Sequence, residues 1–195
     1  MQYPERSYTK AVFLDKDGTL VKDVPYNVDP SKVVFETNVF EGLRTLQADG
    51  YKLVIISNQP GLEMELFSQE QLDELILFFV NVFKENDLLL SGFYYCPHKP
   101  GIDGPACRCR KPEPGLLVEA GKELDLDLAK SWMIGDILND VEAGSRAGCK
   151  TVLIDNGNET EWLEGPHRKP DYTTRDFMDA ADYITTKTIS PYGPS

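Results

Sequence analysis

Apolar residues fall in short runs that alternate with helical patterns along most of the chain. Residues 10–15 (KAVFLD), 51–57 (YKLVIIS), 92–96 (GFYYC), 131–135 (SWMIG) and 151–154 (TVLI) have the length and composition of buried strands. Between them, 39–49 reads as a helix closed by Gly50, and 138–147 as another. Pro114 opens a third, since proline suits a first helical turn. The clearest helix is 69–85, where Leu72, Leu75, Ile76, Phe79, Val82 and Phe83 recur at helical spacing. Ser68 and Gln71 before it have the spacing of a capping box. Strands alternating with helices predict right-handed βαβ units. The expected fold is α/β, a Rossmann-like doubly wound parallel sheet with helices on both faces. No internal repeat is present. The 195 residues suit one domain, expected over 1–185, with a flexible tail at 186–195 rich in polar residues, Pro and Gly.

The polar residues at the ends of these runs carry the chemistry. In open α/β sheets, ligands bind beyond the carboxyl ends of the strands. The first run ends Asp15-Lys16-Asp17-Gly18-Thr19, the second Ser57-Asn58-Gln59, the third Cys96-Pro97-His98 and the fourth Gly135-Asp136, with Asp140 one helical turn on. Four strand exits would thus bring polar groups to one edge of the sheet. Asp15 and Asp17 point the same way if the chain stays extended. With Asp136 they form an oxygen-rich cluster suited to Mg²⁺, because like charges so close need a cation or a shared proton. Asp-x-Asp-Gly on its own is equally a turn sequence.

Charge narrows the partners. With 20 Lys+Arg against 32 Asp+Glu, the net charge is −12. Such a chain repels nucleic acid and anionic membranes, so no nucleic-acid or membrane partner is expected. An anionic substrate must be drawn in locally, by a metal or a few placed cations. No apolar run of spanning length appears and MQYPERSYTK has no apolar leader core, so a cytoplasmic location is expected.

In that compartment the four cysteines read as thiols or metal ligands before disulfides. Cys96-x-His98 and Cys107-x-Cys109 supply three thiolates and an imidazole, the donor set of tetrahedral Zn²⁺. The alternative is free thiols or disulfides, and a bridge between Cys107 and Cys109 is geometrically awkward. PGIDGPA between the pairs cannot build a core, so a metal staple explains its order. Four protein ligands leave no open position, which makes the zinc structural. Cys149 lies outside the cluster and reads as a small buried apolar residue.

The stretch Leu14-Asp15-Lys16-Asp17-Gly18-Thr19-Leu20, then Ser57, Lys111 and Gly135-Asp136…Asp140 resembles the four ordered motifs of the haloacid dehalogenase (HAD) superfamily of phosphohydrolases. The resemblance spans residues 11–140. It implies that Asp15 is the nucleophile, giving an aspartyl-phosphate, and that Asp17 protonates the leaving oxygen and then activates water. It implies that Ser57 and Lys111 hold the phosphoryl group, and that Asp15, Asp136 and the Asp17 carbonyl hold Mg²⁺.

The zinc loop, with Ser57-Asn58-Gln59 and Arg110-Lys111-Pro112, resembles two sister groups without a large cap domain: the heptose 1,7-bisphosphate 7-phosphatases and the histidinol-phosphate phosphatases. Lys111-Pro112-Glu113-Pro114-Gly115-Leu116 looks more like the heptose group. By this resemblance the chain is a Mg²⁺-dependent phosphomonoesterase of a small phosphorylated metabolite, with Asp23, Tyr26, Asn58 and Arg110 touching substrate; a monomer is expected. A different class of reading is a non-catalytic zinc-loop binding module on a phosphatase scaffold. Two departures bear on specificity. Met64 stands where the heptose enzymes have Arg, and Ile137 follows Asp136 where relatives can present a polar residue.

Overall fold

A computed structural model describes residues 9–101 and 107–188. The strands are β1 (Ala11–Leu14), β2 (Lys52–Asn58), β3 (Leu90–Cys96), β4 (Trp132–Gly135), β5 (Lys150–Ile154) and β6 (Tyr172–Thr174). The helices are α1 (Val39–Ala48), α2 (Gln69–Glu85), α3 (Gly115–Glu123), α4 (Leu138–Ala147) and α5 (Phe177–Thr188). All six strands are parallel, in the order β3-β2-β1-β4-β5-β6. The order reverses between β1 and β4, which is where an open α/β sheet opens a crevice for ligand.

Local chemistry explains the elements. The Ser68 hydroxyl accepts from Gln71 N while the Gln71 side chain accepts from Ser68 N, so α2 starts on the expected capping box. Leu72, Leu75, Phe79 and Phe83 form its buried face, each contributing about 1.5–3 kcal/mol by leaving water. They pack with Leu14, Leu43, Ile55 and Trp132 on one side of the sheet. Phe13, Val54, Ile56, Met133 and the α3 leucines fill the other side. Period-2 alternation along β1 sends Val12 and Leu14 to one layer and Phe13 to the other, which is why both faces are apolar.

The expected strands and helices are all present, with small shifts of boundary. Pro114 caps α3 from just outside rather than forming its first turn. Two elements were not foreseen. β6 is only three residues long, and α5 closes the far end of the sheet against α1. α5 continues to Thr188, past the expected start of the tail at 186. Residues 189–195 and the middle of the zinc loop, 102–106, lie outside the described residues. Among the described residues no helix is long and apolar enough to cross a membrane.

Candidate active site

The exits of β1, β2 and β4 converge on one cleft of about 430 Å³ lined by Asp15, Asp17, Ser57, Lys111 and Asp136, among others. That volume suits a small metabolite. Asp15 leaves β1 and Asp136 leaves β4, so the two carboxylates face each other across the crossing point. Gly18, at φ +83°, turns the β1 loop beside them; a Cβ there would collide with the Asp136 and Asn158 side chains. Gly135 is required for a similar reason, because a Cβ would occupy the place of the Asp140 side chain.

Lys111 is the buried cation that pairs with Asp15 and Asp140, while the equally buried Lys16 pairs with Asp17. The Lys111 side chain is 3% exposed, and its ammonium pairs with Asp15 and lies 2.7 Å from Asp140 Oδ1. It also donates to Ile56 O at 3.0 Å. Burial alone would pull the ammonium down, but the Asp140 and Asp15 carboxylates outweigh it and hold Lys111 above its ordinary range. The backbone of Lys111 is clamped as well. Asn58 Nδ2 donates to Lys111 O at 3.3 Å, and Lys111 N donates to Asn58 Oδ1 at 3.1 Å. Asn58 lines the cleft as expected, yet its amide is committed to holding this lysine.

The acids show the cost of crowding. Burial first, then the Asp15 and Asp140 charges, push Asp136 up to about 8. Asp140 is pushed up to about 6 by burial, with Lys111 acting in the opposite direction. Asp17 is also raised by burial, against the pull of Lys16, whose Nζ lies 2.6 Å from Asp17 Oδ1. Carboxylate oxygens of Asp15, Asp136 and Asp140 all lie within 4.8 Å of one another. Asp140 Oδ1 is buried with the Lys111 ammonium as its partner, so one lysine faces three carboxylates. An all-oxygen set carrying this much unneutralised charge fits a hard divalent cation.

The remaining expected residues fall around the same cleft. Asp23, Tyr26 and Arg110 line its rim with Asn58, and so does Ile137. Met64 is 42% exposed and is not among the lining residues, so the Met-for-Arg departure lies outside this cavity.

Cys96, His98, Cys107 and Cys109 also come together. His98 Nδ1 is 3.5 Å from Cys96 Sγ and 3.2 Å from Cys109 Sγ. The sulfurs are 3.2 to 3.5 Å apart along the Cys96–Cys109 and Cys96–Cys107 edges. Zn–S bonds of about 2.3 Å set tetrahedral edges of about 3.5–3.8 Å, so the cluster has the size of a zinc shell, drawn slightly inward. Burial pushes the Cys107 thiol up, but N–H donation from Arg110 and contacts with Cys109 outweigh it and bring it down to about 7. All four cysteines are free of disulfides. Cys109 is followed directly by Arg110 and Lys111, so the cluster fixes the loop that carries both cations into the cleft.

Some participants went unrecognised in the sequence. Asn158 Nδ2 donates to Asp136 Oδ2 at 2.7 Å, and Asn156 Nδ2 donates to Gly18 O at 2.7 Å. Loop asparagines have no spacing that marks them. Asp140 was visible one turn after Asp136, but its hold on Lys111 was not. Gln59, two residues after Ser57, donates to its hydroxyl, a contact that no sequence spacing marks.

A parallel sheet whose β1/β4 crossing gathers Asp15, Asp17, Lys111 and Asp136 defines a HAD-like hydrolase. A HAD-hydrolase-like family model matches residues 108–180. The chain is 36% identical to the D-glycero-beta-D-manno-heptose-1,7-bisphosphate 7-phosphatase of Haemophilus ducreyi, over 90% of this chain and 98% of that one. It is 40% identical to the enzyme of the same name from Pasteurella multocida, over 76% and 83% of the two chains. The D,D-heptose 1,7-bisphosphate phosphatase of B. bronchiseptica, solved with magnesium and phosphate, superposes with a TM-score of 0.80 at 26% identity, over 91% of this chain and 99% of that one. The chain belongs to the D-glycero-beta-D-manno-heptose-1,7-bisphosphate 7-phosphatase family of HAD-like phosphatases.

Proposed function

We propose that this protein, as a single catalytic domain, removes the 7-phosphate of a heptose 1,7-bisphosphate. The observation that carries the reading is the buried pairing of Lys111 with Asp15 at the crossing of β1 and β4. A carboxylate held at the floor of a cleft with a fixed cation beside it is placed to attack a phosphorus and to have the new charge met at once.

Asp15 is the nucleophile: one of its oxygens bonds to phosphorus as the bond to the sugar oxygen breaks. Asp17 gives its proton to that leaving oxygen, and burial, which raises its carboxyl, favours the protonated form needed for this step. Asp17 then takes a proton from the water that hydrolyses the aspartyl-phosphate, releasing phosphate and restoring Asp15. Lys111 and the Ser57 hydroxyl bind the equatorial phosphoryl oxygens, and Asp140 and Asn58 hold Lys111 in place for them. Asp15, Asp136 and the Asp17 carbonyl would hold Mg²⁺, which when bound supplies charge neutralisation at the phosphoryl group. Cys96, His98, Cys107 and Cys109 would hold a structural Zn²⁺ that sets the Arg110–Lys111 segment. Asp23, Tyr26 and Arg110 at the rim face the remainder of the sugar phosphate.

Turnover of a generic aryl phosphate with Mg²⁺ present tests the reaction class. Wild type should hydrolyse it, Asp15→Asn should not, and Asp17→Asn should lose about 10²–10⁴-fold in kcat. Near wild-type kcat in Asp15→Asn would overturn the covalent mechanism.

A further inference from the structure

Gln59 is 4% exposed, although amide side chains are usually at the surface. Its Nε2 donates to Ser57 Oγ at 2.8 Å and faces Asp17 Oδ2 at 3.5 Å. The carboxylate oxygen beside it accepts hydrogen bonds, so the nitrogen end of the amide is the end that belongs there. The backbone of Gln59 is fixed too, with its N–H donating to Cys96 O at 2.8 Å.

A hydroxyl has one proton to give and lone pairs to accept with. An amide nitrogen only donates. Gln59 therefore takes a lone pair of Ser57 and leaves the Ser57 proton for another acceptor. Among the described residues Ser57 Oγ has no other hydrogen-bond partner, and Ser57 lines the cleft with Lys111.

We propose that Gln59 is a positioning residue that aims the Ser57 O–H into the cleft, so that the hydroxyl is already a donor when a phosphoryl oxygen arrives. The proposal rests on the phosphatase reading above. Its physical advantage is preorganisation: a donor that need not reorient at the moment of reaction gives its full stabilisation to the developing charge. Gln59 acts on a bound oxyanion through Ser57, so its effect on oxyanion affinity must vanish when Ser57 has no hydroxyl, whereas its longer contact with Asp17 is independent of Ser57.

That dependence is the test. Gln59→Leu and Gln59→Met, both close in volume to Gln, are made in the wild-type and Ser57→Ala backgrounds, each loaded with Mg²⁺. Two quantities are measured: kcat/KM on an aryl phosphate, and the affinity for tungstate, a tetrahedral oxyanion whose binding by calorimetry needs no turnover. With Ser57 present, each Gln59 change should lower both by about five- to tenfold, the value of one ordinary hydrogen bond. In the Ser57→Ala background the further loss of tungstate affinity, the quantity that decides the proposal, should be under about twofold. Equal losses in the two backgrounds, or no loss in either, overturn the proposal. Absence of turnover in wild type would instead overturn the phosphatase reading, while the tungstate cycle still decides the role of Gln59. Two different replacements guard against one failing to fold.

Discussion

Asp140 Oδ1 stands 2.7 Å from Lys111 Nζ, and the two side chains are 1% and 3% exposed. Asp140 also accepts from Ile137 N at 3.3 Å, so it ties the start of α4 to the lysine that faces Asp15. Asp140→Asn removes that charge and leaves Lys111 with Asp15 as its carboxylate partner, so it should lower kcat by letting the ammonium shift toward Asp15. Unchanged kcat would mean that Asp15 alone holds Lys111 in place.

Stability should also report the crowded acids as a function of pH. Without Mg²⁺ the folded chain raises Asp136 to about 8 and Asp140 to about 6, in both cases chiefly by burial, from an ordinary value of 3.8. The folded state then keeps protons that the unfolded chain has released. Their contribution is complete below about pH 4 and is lost as pH rises through about 6 and then about 8. The Tm of the Mg²⁺-free protein should fall between about pH 5 and about pH 8.5. Saturating Mg²⁺ should raise Tm strongly at the upper end and little at the lower, since the ion competes with those protons. An equal Mg²⁺ effect at both ends would contradict the ligand set.

The main elements were readable because their cause is local: apolar runs for strands, Ser68 and Gln71 for the start of α2, and acids placed where β1 and β4 end. α5 was harder. Phe177, Ala180, Ala181 and Ile184 do recur at helical spacing and are buried. Alanines bury little area, however, and the threonines that follow dilute the pattern. β6 is too short to show alternation. In the site, the charged residues were legible from spacing, whereas Gln59, Asn156 and Asn158 were not. Their roles depend on which atom meets which across loops, and no periodicity encodes that. The double clamp of Asn58 on Lys111 likewise appears only once β2 and the zinc loop are side by side.

Elemental analysis should find about one zinc per chain. Cys107→Ala should lower Tm and activity together, because Cys107 Sγ accepts from Arg110 N at 3.4 Å and the loop carries Arg110 and Lys111. A metal-free chain with full activity would remove the zinc and its coupling to the cleft.

Arg110 reaches the rim with its Nη1 donating to His98 O at 3.3 Å. Arginine suits a second phosphate through paired N–H donors. Arg110→Ala should cost a heptose bisphosphate about 1–3 kcal/mol more in kcat/KM than it costs an aryl phosphate. Equal losses would assign Arg110 to the loop alone. Met64→Arg should leave that preference unchanged, because Met64 does not line the cleft.

The central claim concerns which ester bond breaks, and ³¹P NMR of heptose 1,7-bisphosphate turnover reads it directly. With enzyme and Mg²⁺, the 7-phosphate resonance should give way to inorganic phosphate while the 1-phosphate resonance persists. The accompanying kcat/KM should far exceed that for histidinol phosphate. Loss of the 1-phosphate, or a far higher kcat/KM on histidinol phosphate, would contradict the assignment and leave Asp15, Asp17 and Lys111 serving a different substrate.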